Sequence, residues 1–564
     1  MTTCREQILS EEYRDFISTR VGAENSQGFF ENACIQNVGE LYRIEYVEKE
    51  VADPISLSRY PYDAIPKCFA LLDVESMQQS GILAVQNYPN LELRGEGVLV
   101  GFVDTGIDYR NQVFRNLDGS TRIVSIWDQS VQTGTPPTGF SYGTEYRQEV
   151  IDLALQRENP YELVESRDVV GHGTFLASVA TGGAVVEEEF IGAAPEAMIA
   201  MVKLKPAKKY IKDFYFIPES ATCYQETDIM LGMAYLNQLA EELELPLVLC
   251  VALGTNQGSH SGSSPLAGLL DIYSNVGNRA VVVGAGNEAN ARHHYYGEAN
   301  LSKEIRQVEV RVGDRTTGFS TELWADALDL YAISIVSPSG ESTYRFPIRS
   351  GITQTYTFIF EQTMITVDYK VFVERLNAEL IFLRFQNPTS GIWRIQVEPI
   401  QLSVGNFHMW LPMNEFLETE IFFLESNPDV TITEPGNIAG GMAVGFYHGA
   451  DNSVAIQSGR GYTRSERIKP DFVAPGVDVI GATYDNRFVV RTGSSIAVGI
   501  AAGATALLME WVVYRLKREN VDSTQIKNLL ILGTTKRENE SYPNREWGYG
   551  TLNVYQTFEV IRRI

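Results

Sequence analysis

Four short segments hold the residue types that acyl transfer needs: a carboxylate, an imidazole, a hydroxyl and a neutral amide donor. Val103-Asp104-Thr105-Gly106-Ile107-Asp108 follows an apolar run, so Asp104 falls where a buried strand ends and the chain turns. Gly171-His172-Gly173-Thr174 sets a histidine between glycines, where backbones can pack closely and a ring can face a cleft. Thr492-Gly493-Ser494-Ser495-Ile496-Ala497 opens a long stretch of small apolar residues, which puts Ser495 at a helix start. Val283-Gly284-Ala285-Gly286-Asn287-Glu288 leads from an apolar run into glycines and an asparagine. Each has a bland reading alone, since aspartates end strands, lone histidines pack, serines cap helices and GAGNE can be a turn. Together they suit one chemistry. A serine hydroxyl at a helix N-terminus gains from free N–H groups and the positive helix end, and an asparagine amide can donate to an oxyanion.

The elements that must position them are legible in outline. Gly97 to Val103, Leu245 to Leu253 and Ala280 to Val283 are continuous apolar runs without alternation, as expected of strands covered on both faces in a parallel sheet. Helical stretches such as Asp228 to Glu242 lie between them, which predicts a doubly wound α/β core with its chemistry at the carboxyl ends of the strands. Before this core, residues 1 to about 74 read as a small helix-and-strand unit. Between about 300 and 428 the segments alternate, as in Gln307 to Val312 and Trp393 to Val397, and are separated by turn-rich pieces such as Ser337-Pro338-Ser339-Gly340. That block reads as an inserted all-β sandwich or jelly roll. The apolar stretch Ala497 to Val513 contains Gly, Thr505 and Glu510, so a buried helix is expected there and no membrane span.

Bulk composition excludes more than it identifies. The 564 residues carry 46 Lys and Arg against 71 Asp and Glu, a net charge of −25, which would repel a nucleic acid at long range. Cys4, Cys34, Cys68, Cys223 and Cys250 are odd in number and show no CxxC spacing, so all five are expected to be free thiols in a reducing compartment. The start, Met1 to Gln7, has neither a basic region nor an apolar stretch, and export by the general secretory route is not expected.

The four motifs in this order resemble those of the subtilisin-like (subtilase) family: D-[ST]-G, H-G-T, an asparagine in G-N-E, and G-T-S-x-A. The resemblance covers about 97 to 300 and 429 to 564. It implies a serine endopeptidase whose catalytic residues are Asp104, His172 and Ser495, with Asn287 and the Ser495 N–H holding the oxyanion. Ala252-Leu253-Gly254 matches the family's substrate-binding strand, and Gly284 is placed with it in the substrate site. Two departures stand out: Ser494 replaces the family's threonine, keeping the hydroxyl, and Gly499 and Ile500 replace its proline and histidine.

The whole layout is similar to the Csp germination proteases of clostridial-type spore formers. That resemblance implies a prodomain over 1–74, a subtilase core over 75–299 and 429–564, and a β jelly roll over 300–428. It also implies self-cleavage within Ile65 to Gln78, limited proteolysis of a cortex-lytic zymogen during germination, and synthesis in the cytoplasm with packing into a spore. The partners expected are a protein substrate and the chain's own prodomain, with pseudoprotease relatives alongside. A protease acting on another bacterial substrate, an inactive sensor or scaffold, and an insert that binds cortex sugar through Tyr295, Tyr296 and Trp410 remain open readings. No cofactor is expected. Structural calcium is a family option, but no D-x-D-x-D-G loop supports it, so no metal ligand is named.

Overall fold

The structure, a computed structural model, describes residues 3–19, 30, 33–71, 80–89, 91–299, 304–373, 376–518 and 520–563. Its centre is a largely parallel sheet in the order Met442–His448, Arg279–Gly284, Leu247–Val251, Leu99–Asp104, Met198–Lys203 and Ile123–Asp128. Short antiparallel strands, Ser453–Val454 and Thr144–Arg147, lie at its two ends, and Phe472–Pro475 pairs in parallel with Met442–His448. Every residue of Leu99–Asp104, Leu247–Val251 and Arg279–Gly284 is buried, the reason these runs carry no polar alternation. Successive side chains divide between the two faces. Val100, Phe102, Val248 and Cys250 pack with the helices His172–Thr181 and Ser494–Met509. Leu99, Val103, Leu247 and Leu249 pack with Glu226–Glu242 and Pro265–Ser274.

The helix Ser494–Met509 and the turn that continues it to Arg515 are apolar and long enough to cross a membrane, yet every residue of Ser494–Met509 is buried inside the protein. It is the central helix of the core.

Two antiparallel sheets make up the β block. One runs His294–Glu298, Asn406–Trp410, Gly318–Asp326, Ala378–Gln386, Met364–Val373, Gln354–Thr357. The other runs Leu330–Val336, Gly391–Gln401, Arg306–Val312, Ile421–Phe423. Val308, Val310, Ile333 and Trp393 of the second share one apolar cluster with Phe319, Leu323, Ile381 and Leu383 of the first. The first of these strands begins at His294, ahead of the boundary near 300 expected from texture. The aromatics considered for sugar stacking are not displayed: Tyr295 and Trp410 are buried and Tyr296 is half-buried. Trp410 stacks on His260 of the core at 4.0 Å and on His294 at 4.9 Å, so its ring joins block to core.

The N-terminal unit is a three-stranded antiparallel sheet, Tyr13–Thr19, Tyr42–Glu48, Cys34–Val38, behind the short helix Cys4–Leu9. Cys4 and Cys34 are disulfide-bonded, with Cα atoms 5.4 Å apart. This corrects the expectation of five free thiols: the helix start and the strand start meet only once the unit folds, and a separation of 30 residues carries no signal of it. Cys68, Cys223 and Cys250 are free and buried.

Docking of this unit on the core is polar at its centre. Asp15 is buried, pairs with the Lys208 ammonium at 2.5 Å, accepts from Gln225 Nε2 at 2.6 Å, and receives a hydrogen bond from Tyr210 Oη on its carbonyl at 3.2 Å. Burial pushes the Lys208 ammonium below its ordinary pKa, against the pull of Asp15. Removing one partner of such a pair strands the other charge in the interior. Asp15→Ala is expected to destabilise the docked chain by about 3–5 kcal/mol in urea denaturation. Limited proteolysis of the same variant should clip within the first 60 or so residues before the core is touched.

Candidate active site

Asp104 is the last residue of its strand, His172 the first of the helix His172–Thr181, and Ser495 the second of the helix Ser494–Met509. The fold brings them into succession. His172 Nδ1 lies 2.8 and 2.9 Å from the two Asp104 oxygens, and His172 Nε2 lies 3.2 Å from Ser495 Oγ. A carboxylate can only accept, so Nδ1 carries the ring proton and Nε2 of the neutral ring is left as the acceptor for the serine hydroxyl. All three side chains are buried.

Close backbone approach makes this possible. A Cβ on Gly173 would fall 2.2 Å from the Gly106 carbonyl and 3.0 Å from Asp104 Oδ1, so only glycine can follow His172 here. Gly503 plays the same part further along, where a Cβ would fall 2.7 Å from the Ala180 carbonyl, and lets the nucleophile's helix lie against the histidine's. Gly499 and Ile500, the departures from the family pattern, lie in that unbroken helix; Ile500 is buried in the core cluster.

Asn287 Oδ1 accepts from the Ser494 N–H at 3.0 Å, which fixes the side chain and leaves its Nδ2 hydrogens for another acceptor. The Ser495 N–H belongs to the first turn of its helix, where N–H groups lack intrahelical partners. Ser494 Oγ accepts from the Gly286 N–H at 3.2 Å, so the hydroxyl kept at this position ties the asparagine loop to the helix start.

Asp168 was missing from the sequence reading. Its Oδ1 accepts from Thr105 Oγ1 and from the Gly171 N–H, both at 2.8 Å, and its Oδ2 accepts from Thr174 N–H at 2.9 Å and Oγ1 at 2.7 Å. Thr105 Oγ1 in turn accepts from the Gly173 N–H at 2.9 Å. This one buried carboxylate clamps the turn after Asp104 to the start of the histidine helix. Nothing in its local sequence marks it, four residues before His172 in Arg167-Asp168-Val169-Val170.

Leu253–Gly254 is the edge of a separate small sheet. The strand Cys68–Leu71 lies antiparallel on it, with Leu253 opposite Leu71 and Gly254 opposite Ala70. Its other side pairs with Tyr224–Gln225, with Phe69 opposite Tyr224 and Cys68 opposite Gln225. Phe69 is buried in the cluster that holds Val103, Tyr224 and Leu253. Ala252 is buried beside this edge, whereas Gly284 ends its strand in register with Val444 of the main sheet and takes no part in the pairing. The first half of the window Ile65 to Gln78 is described, up to Leu71; residues 72–78 and the boundary at 74 lie outside the described residues. Among the described residues no group of three or more His, Cys, Asp or Glu side chains could hold a metal ion.

A doubly wound sheet with a serine, histidine and aspartate in hydrogen-bond succession defines a serine endopeptidase of the subtilisin type. Residues 95–337 and 400–550 match the profile described as the subtilase family, and the chain belongs to that family. The structure of the CspB protease of Clostridium perfringens is similar at a TM-score of 0.76 and 31% identity, over 86% of this chain and 99% of that one. Subtilisin-like protease SBT3.6 of Arabidopsis thaliana is 26% identical over 467 residues, 73% of this chain and 56% of the plant protein. The chain thus spans about half the length of that relative. Serine protease AprX of Bacillus subtilis is 32% identical over 120 residues, 18% of this chain and 25% of AprX.

Replacing Asp168 by Ala strips four donors of their acceptor at once. Asp168→Ala is expected to lower stability by about 3 kcal/mol and to slow labelling of the active serine by a fluorophosphonate about tenfold. Thermal unfolding and a labelling time course read the two effects. Labelling at the wild-type rate would remove Asp168 from any positioning role.

Proposed function

We propose that this chain is an endopeptidase that first cuts its own N-terminal unit and then activates a protein zymogen by limited proteolysis. In this reading Ser495 Oγ attacks the scissile carbonyl while His172 Nε2 takes its proton. Asp104 holds the ring and stabilises the imidazolium, and the proton then passes to the leaving amine. Asn287 Nδ2 and the Ser495 N–H receive the negative charge on the carbonyl oxygen.

One observation carries the proposal: the strand Cys68–Leu71 of the chain itself lies antiparallel on Leu253–Gly254, as an extended peptide substrate would on a protease edge. A polypeptide already bound as a strand at such an edge is held near the serine without further loss of entropy. On this reading residues 1–74 are a prodomain, the cut falls within Ile65 to Gln78, and the β block over 300–428 is a jelly roll that braces the core. Similarity to the Clostridium perfringens CspB protease supports placing the activity in a germinating spore, with a cortex-lytic zymogen as substrate. We read no obligatory metal into the mechanism. The melting temperature should therefore be unchanged in excess chelator, and a sharp fall would contradict this.

Mass spectrometry of purified wild type beside Ser495→Ala tests the main reading. Two fragments parted within residues 65–78 are expected from wild type and one intact chain from the variant, with fluorophosphonate label on wild type alone. An intact, unlabelled wild type would favour the alternative, an inactive sensor or scaffold built on the same fold.

A further inference from the structure

Lys67 precedes the docked strand and is almost wholly buried. Its backbone extends the pairing: its N–H donates to Glu226 Oε2 at 3.2 Å and its carbonyl accepts from the Glu226 N–H at 2.8 Å. Its ammonium lies 3.8 Å from Glu226 Oε2 and 3.8 Å from Asp63 Oδ1, donates to the Tyr62 carbonyl at 3.3 Å, and sits 4.5 Å from the Tyr62 ring centre. Asp63 and Tyr62 travel with the N-terminal unit. Glu226 does not.

Two more buried carboxylates of the main body meet at Gly258: Glu322 accepts from its N–H, and a Cβ there would fall 3.2 Å from Glu434 Cγ. Tyr62, whose carbonyl accepts from the Lys67 ammonium, gives its hydroxyl to Glu322. Glu226 opens the helix Glu226–Glu242, Glu322 lies in the β-block strand Gly318–Asp326, and Glu434 belongs to the segment bridged to Thr255. Glu226 Oε1 accepts from the Leu266 N–H at 3.0 Å. Glu322 accepts from the Gly258 N–H at 3.1 Å, from Trp324 Nε1 at 2.9 Å and from the Tyr62 hydroxyl at 2.7 Å. Glu434 is different: Oε1 accepts from the Gly262 N–H at 3.2 Å, but buried Oε2 has no hydrogen-bond partner. Burial pushes its carboxyl up to about 7, while Lys67 pulls the other way. Three carboxylates buried together, one of them short of a donor, make an arrangement that is costly without a cation among them.

We infer that Glu226, Glu322 and Glu434 form a subsite for a Lys or Arg side chain, three residues N-terminal to the substrate residue that pairs with Gly254. Lys67 is its occupant in the uncut chain. A protein segment docked on the same edge satisfies these carboxylates only by bringing its own cation, so the subsite selects basic residues at this distance from the cut. The inference rests on the reading of Leu253–Gly254 as the substrate strand.

The test uses the full chain carrying Lys67→Met, Lys67→Arg or Glu434→Gln, with two readouts. In a Ser495→Ala background, amide hydrogen exchange at 68–70 reports how firmly the strand is seated, with the core strand 99–104 as internal control. In the background that keeps Ser495, mass spectrometry follows the rate of the cut. Lys67→Met should raise exchange at 68–70 and slow the cut, each by about tenfold, while Lys67→Arg stays within about threefold of wild type. Glu434→Gln, which keeps the shape, should raise exchange at 68–70 by about threefold and leave 99–104 unchanged. Exchange and cutting unaltered by Lys67→Met overturn the subsite. So does an arginine variant that fails as fully as methionine, or a rise in exchange that spreads equally to 99–104 in both Lys67→Met and Glu434→Gln. A wild type that is neither cut nor labelled at Ser495 overturns the protease reading instead, and the exchange comparison still decides whether the carboxylates hold a cation.

Discussion

A carboxylate buried at the end of a strand needs partners, and the way Asp104 finds them organises the rest of the molecule. It accepts from the Thr105 N–H and from the His172 ring, and the ring can come so near only because Gly173 allows backbone contact with Gly106. The histidine's helix then lies against the serine's, with Gly503 pressed on the Ala180 carbonyl. Asp168 braces the same junction from outside by gathering Thr105, Gly171 and Thr174. Small residues and one unsignalled carboxylate thus set a geometry in which the hydroxyl, imidazole and carboxylate meet.

A second constraint is the edge at Leu253–Gly254. An open sheet edge leaves N–H and C=O groups unpaired, and here the chain's own strand Cys68–Leu71 covers it. That strand is anchored at both ends of its unit. Asp15 meets Lys208 and Gln225 on one side, and Lys67 meets Glu226 on the other. The β block takes part as well: its Glu322 accepts the Tyr62 hydroxyl, and its Trp410 stacks on His260 of the core. N-terminal unit, core and block therefore meet around this edge through buried polar contacts that tolerate little displacement.

Those contacts are also where the sequence reads least clearly. Cys4 and Cys34 looked like two isolated thiols, because partners contributed by distant segments leave no local trace. Gly284 shares a motif with Asn287, yet it is bonded into the main sheet beside Val444 and lies outside the groove pairing.

What the sequence determined by itself follows from local rules. Unalternated apolar runs mark strands covered on both faces, glycines flank the histidine where space is short, and Ser495 opens a helix of small residues. These rules sufficed for the α/β core, and the resemblance of the four motifs, in their order, to those of subtilases singled out Asp104, His172, Ser495 and Asn287 as candidates. Tertiary structure alone decided that Asp104, His172 and Ser495 lie within hydrogen-bond reach, that Asp168 braces them, and that Lys67 meets Glu226. Such features depend on distances between residues up to several hundred positions apart, and only the packed chain sets those distances.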